Sequence, residues 1–141
     1  TLKSRESLSV VSQLLPAKPD GSPAVIEEIL GEPGPSLQRL LTETIAPEGS
    51  KRVAEPLRAG IRRSDAGGEE AVYYEYEWRT RFPSGVALRT FSSAALGKAD
   101  SAGRRHLYTL TAVLPDDLAS SGEAAAALIP KIMESFRVLP R

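Results

Sequence analysis

An α+β fold, a central antiparallel β-sheet flanked by helices as an α/β/α sandwich, is what this 141-residue sequence predicts. Three observations lead there. The run from Tyr73 to Phe82 alternates with period two: Tyr74, Tyr76, Trp78, Thr80 and Phe82 share one side, and Tyr73, Glu75, Glu77, Arg79 and Arg81 share the other. Successive strand side chains point to opposite faces, so this reads as a strand with a buried aromatic face and a wet, charged face. Turn residues separate it from strand-like runs on both sides, which implies hairpins and antiparallel pairing. Two amphipathic stripes, one over residues 33–45 and one over 122–138, can cover the aromatic face, and the closing one is expected to roof it.

Element by element, Ser7 to Ser12 alternates Leu8 and Val10 against small polar residues and reads as a short strand. Pro16, Pro19, Gly21 and Pro23 mark a loop. Over residues 24–30, Val25, Ile26, Ile29 and Leu30 have helical spacing. The run is too short for a stable isolated helix, so it reads equally as one helical turn or an extended connection. Leu37, Leu40, Leu41 and Ile45 predict a helix over 33–45, opened by a proline in its first turn. Residues 52–63 alternate imperfectly around Pro56, which cannot donate to a ladder, so this strand belongs at an edge or contains a bulge. Asp65-Ala66-Gly67-Gly68 turns into the aromatic strand, and Pro83-Ser84-Gly85 turns out of it into a strand from Val86 to Ala94 or Leu96. After a polar loop at 97–103, residues 105–114 are apolar on both sides and predict an interior strand. A closing helix is predicted over 122–138, with Ser121 as its candidate cap and a kink or a restart at Pro130. The whole chain, 1–141, reads as a single domain.

Composition excludes several classes. Hydrophobic residues make up 41% and charged residues 26%, proportions of a soluble globular chain rather than a disordered one. Eighteen basic residues balance eighteen acidic ones, which argues against nucleic-acid binding. No apolar run approaches the ~20 residues that span a bilayer. Cysteine is absent, which removes disulfides, thiolate catalysis and sulfur-ligated metals.

The chemistry-bearing residues are few. His106 is the sole histidine, with Arg104 and Arg105 before it and no HExxH or GxSxG pattern around it. A surface role is the expectation; a small hydrolase using His106 is the enzymatic alternative. Glu75 and Glu77 share a strand face with Arg79 and Arg81, opposite Arg58, Arg62 and Arg89 on neighbouring strands, which predicts a cross-strand charge ladder rather than a metal or acid–base pair. Neither Gly31 to Gly34 nor Gly67-Gly68 matches a phosphate-binding loop. The basic cluster Lys51, Arg52, Arg58, Arg62 and Arg63 is the largest charge asymmetry. It reads two ways: a dock for an acidic partner, or a solvated edge strand guarded by charge. The candidate partner-binding residues are these five with Arg104, Arg105 and His106.

Five segments in order carry a family resemblance. They are Ile29-Leu30-Gly31-Glu32-Pro33 with Leu40-Leu41; Tyr73-Tyr74-Glu75-Tyr76-Glu77; Arg89-Thr90-Phe91-Ser92-Ser93-Ala94-Ala95; Leu107-Tyr108-Thr109-Leu110-Thr111-Ala112; and Ile132-Met133-Glu134-Ser135-Phe136. With them the chain resembles the PsbP family of thylakoid-lumen proteins over roughly residues 7–138. The first segment looks like the family's Leu-Gly-Ser-Pro turn and favours an extended turn over a helix at 24–30. The resemblance implies a non-enzymatic protein of the chloroplast or cyanobacterial thylakoid lumen. It implies peripheral association with a photosystem, II ahead of I, as an extrinsic subunit supporting oxygen evolution or as an assembly factor. Ca²⁺ enters only at family level, and no position matches a metal ligand. The family's opening strands are largely missing before Thr1, the 97–103 loop is longer than usual, and Pro115-Asp116-Asp117-Leu118 stands where an Arg-Trp pair is common. These departures favour a divergent PsbP-domain protein over the principal photosystem II subunit. A Ran-type GTPase-binding module of similar fold is the remaining alternative; it would present an acidic surface, whereas the clearest patch here is basic.

Overall fold

The computed structural model describes residues 7–64 and 71–116. Five strands form one antiparallel sheet: β1 (Ser7–Leu15), β2 (Val53–Ser64), β3 (Ala71–Arg81), β4 (Ala87–Leu96) and β5 (Arg105–Pro115). Their spatial order is β1-β5-β4-β3-β2, so β2 to β5 form the predicted meander and β1 adds at the far side of β5. The apolar run 105–114 is interior, as its two-sided hydrophobicity predicts. Strand β2 lies at an edge, and its register slips between Pro56 and Arg58, leaving Leu57 as the extra residue of a bulge. Both readings of Pro56 therefore hold at once. Strands far outnumber helical residues, and the described fold is mostly β. The predicted turn at 65–68 and the helix over 122–138 lie outside the described residues.

Helix α1 (Ile26–Leu30), helix α2 (Pro33–Leu40) and a π-helical turn (Leu41–Ile45) follow β1. The extended turn favoured at 24–30 is corrected over most of its length: Val25 is extended, and Ile26–Leu30 form a short helix. Isolated, five residues could not hold it. Tertiary contacts do: Ile26 is buried, and the Tyr74 hydroxyl donates to the Gly31 carbonyl at 2.5 Å. Pro33 opens α2 where its missing N–H costs nothing. The stripe over 33–45 then continues through a π turn closed by Ala46 N–H to Leu41 carbonyl at 2.8 Å, not as one uniform α-helix.

These helices cover the aromatic face. Tyr74, Tyr76 and Trp78 are buried in one cluster with Ala24, Ile26, Leu37, Leu41 and Leu96. Residues 24–45 are packed on this side; the expected roof, the closing helix over 122–138, lies outside the described residues. One polar pair crosses the layer, with Ser36 Oγ and Tyr76 Oη 2.5 Å apart. Burial pushes the Tyr74 and Tyr76 hydroxyls above their ordinary pKa of 10.

The second face is not the wet surface its charges imply. Tyr73 is 1% exposed and Glu75 9%, while Phe91, Leu110, Ala112 and Leu114 share that side and are buried. Charge and burial coexist because cross-strand pairing satisfies the ions.

The loop before α1 and the β4–β5 turn meet at Gly103. Its φ is +78°, and an added Cβ would lie 2.9 Å from the Gly21 carbonyl oxygen and 3.0 Å from Ala17 Cβ. Gly103→Ala is expected to destabilise the fold by about 1–3 kcal/mol through strained backbone and forced separation of the two loops. Urea unfolding checks it; a change under 0.5 kcal/mol defeats the prediction.

Candidate functional site

The predicted charge ladder exists on the second face. Arg62 Nε lies 3.1 Å from Glu75 Oε2, and Arg58 Nε lies 3.7 Å from Glu77 Oε1. Arg79 pairs with Glu55 on β2 and, at 3.0 Å, with Asp116. Arg89 reaches Glu77 at 3.4 Å and Asp116 at 3.0 Å. The register explains it: Arg58 stands opposite Glu77, Glu55 opposite Arg79, and Arg79 opposite Arg89. Like charges at that last pair are tolerated because Asp116 lies between them. Desolvation raises the Asp116 pKa, but the hydrogen bonds and charges of Arg79 and Arg89 outweigh it and hold the carboxyl below its ordinary 3.8. The hydrogen bond from Arg79 to Asp116 also raises the Arg79 pKa.

The eight sequence-nominated residues fall into two groups. Lys51, Arg52, Arg58, Arg62 and Arg63 run along the β2 edge; Arg104, Arg105 and His106 stand at the start of β5. Strands β3 and β4 intervene, so three ladder spacings, about 14 Å, separate the groups. They do not form one patch.

Within the first group, Arg58 and Arg62 are engaged in the ladder, and Arg62 also lies 4.0 Å over the Tyr73 ring. Arg52 donates to the Ile45 carbonyl at 3.4 Å and sits 5.4 Å from the Phe82 ring centre. Lys51 has φ +63°, the only positive value at a non-glycine position among the described residues. It follows Gly49 in a tight turn that presents the lysine outward. Lys51, Arg52, Arg58 and Arg63 are exposed along this edge.

Within the second group, Arg105 joins two loops. Its guanidinium donates to the Gly97 carbonyl at 2.6 Å and to the Ala24 carbonyl at 3.0 Å. Arg104 Nε pairs with Asp100 Oδ2 at 2.9 Å. Asp100 also accepts the backbone N–H groups of Arg104 and Ala102, and these bonds lower its pKa. His106 is exposed, with its ring centre 5.9 Å from that of Tyr108. The two rings border an open cleft of about 290 Å³ together with Lys98, Asp100 and Arg104. Sequence reading missed Lys98, Asp100 and Tyr108. Tyr108 was within reach of it, since it stands two residues from His106 on the same strand face.

Ca²⁺ does not fit the described side chains. Among the described residues no three acidic or histidine groups converge to hold a metal, and Glu75, Glu77, Asp100 and Asp116 each face arginine. No described helix is long and apolar enough to cross a membrane. In comparisons with known proteins, neither a family model nor a curated sequence matches the chain.

Proposed function

We propose that the chain is a non-catalytic module of the thylakoid lumen that docks peripherally on a photosystem complex, II ahead of I, as an extrinsic PsbP-like subunit or an assembly factor. One observation carries the reading. The family-like segments at 73–77, 89–95 and 107–112 fall on adjacent strands in one register, with Tyr74 opposite Ala94 and Ala94 opposite Thr109. The three segments thus share one meander, the arrangement that the resemblance implies. The finer α/β/α arrangement belongs to the same proposal; burial of Tyr73, Phe91, Leu110, Ala112 and Leu114 on the second face supports it.

Docking is assigned to the exposed basic edge of β2, with Lys51, Arg52, Arg58 and Arg63 facing an acidic patch on the complex. The test is fractionation of thylakoids followed by native electrophoresis. Co-migration with a photosystem or its assembly intermediate is expected, weakening as salt rises. Lys51→Glu with Arg52→Glu is expected to slow association and flatten its salt dependence. A location outside the lumen, or a protein that migrates alone at low salt, overturns the reading.

A further inference from the structure

The two edges of the sheet are built differently. Strand β2 carries the recognised guards against edge pairing: Pro56, a bulge and Arg58, Arg62 and Arg63. Strand β1 carries none. Its nine residues, Ser7–Leu15, contain no charge, no proline and no glycine, and pair without a break to β5. Its other side pairs with no strand among the described residues. Leu8, Val10, Val11 and Leu14 are 45%, 59%, 61% and 48% exposed. Long, uncharged, apolar edge strands are templates for another strand.

We infer that β1 pairs antiparallel with β1 of a second copy of this chain, across a twofold axis at Val11, to make a continuous ten-stranded sheet. Three observations favour a second copy as occupant. A twofold axis brings the same strand to itself antiparallel, the arrangement this sheet uses throughout. The uncharged strand sets no like charges against each other, and the chain's formal net charge is zero, so the copies do not repel as wholes. The register centred on Val11 sets Leu8 against Leu14 of the second copy, Ser9 against Gln13 and Val11 against itself, so three of its five distinct pairs match in polarity, while Val10 faces Ser12 and Ser7 faces Leu15. The contact is about 31 Å long at the strand rise and one strand wide, which is small for an interface. Dissociation on the order of micromolar concentration is expected. This inference does not depend on the photosystem reading.

The absence of native cysteine gives a direct test on the 141-residue chain. Directly opposed strand residues have Cβ atoms about 5 Å apart. Val11→Cys is therefore expected to cross-link to itself with a short bifunctional thiol reagent. Ser9→Cys thiols would stand about 14 Å apart, four strand steps, and are expected to stay unlinked. Sedimentation velocity over the micromolar range should show a monomer–dimer equilibrium. Val11→Lys and Val11→Glu, both at an exposed position, should each weaken self-association about 10-fold or more, and mixing the two should restore it. A monomer at every concentration, equal cross-linking at both positions, or a dimer indifferent to both charges overturns the inference.

Discussion

Trp78→Ala is expected to cost about 3–5 kcal/mol of folding stability, the range for removing a large buried aromatic side chain. Trp78 is 5% exposed and belongs to the cluster shared by β3, α1, α2 and the π turn. The loss has two parts: the transfer free energy of the indole, and the unfilled volume left among residues that cannot all close in. The second part should be large because the layer above is short-range structure. Helix α1 has five residues and α2 eight, so neither stands without the face it covers. Unfolding followed by circular dichroism, not by tryptophan emission, should show the melting temperature lowered by about 10–15 °C. Glu48→Ala, at an exposed turn position away from this layer and from β1, is the control and should shift stability by less than about 0.5 kcal/mol. Loss of under 1 kcal/mol at Trp78 would mean that the helical layer does not rest on it.

That face was legible in the sequence because side-chain direction in a strand depends on position alone. Tyr74, Tyr76 and Trp78 had to share a side, and their size required cover. Pro56 marked an edge by its missing N–H. What covers the aromatic side was less legible. Val25 to Leu30 is below the length at which local propensity decides, and its helix depends on Ile26 burial and on the Tyr74 hydroxyl, 43 residues away from Gly31 in sequence. The alternation Glu75, Glu77, Arg79 read as solvated for a related reason. Periodicity records polarity, whereas burial of a charge depends on what stands opposite it, and that is fixed by register. Arg105 shows the same limit among the candidate site residues. One guanidinium binds carbonyls of Gly97 and Ala24, and no local pattern announces a bond to a residue 81 positions away.

Arg89→Ala is expected to destabilise the fold by about 1–3 kcal/mol, because it strips a counter-charge from two partly buried carboxylates at once. Arg89 is 16% exposed and contacts Glu77 and Asp116, themselves 16% and 18% exposed. Arg58 and Arg79 remain to hold the two acids, so the loss should fall below that of an orphaned, fully buried ion. The effect should also depend on pH with a definite sign. In the unfolded chain Asp116 takes up its proton near 3.8; in the fold its arginines keep the proton off to lower pH. Between those two values the unfolded state binds more protons, so this stabilisation is complete above the unfolded value and drains away as pH falls through the folded one. The difference between wild type and Arg89→Ala should therefore be constant from neutral pH down to about 4.5 and shrink below it. Asp116→Asn separates charge from shape, since it keeps the side chain and removes the titration; its stability should lose this part of the acid dependence. A wild-type to Arg89→Ala difference that grows on acidification would place the decisive charge elsewhere on the ladder.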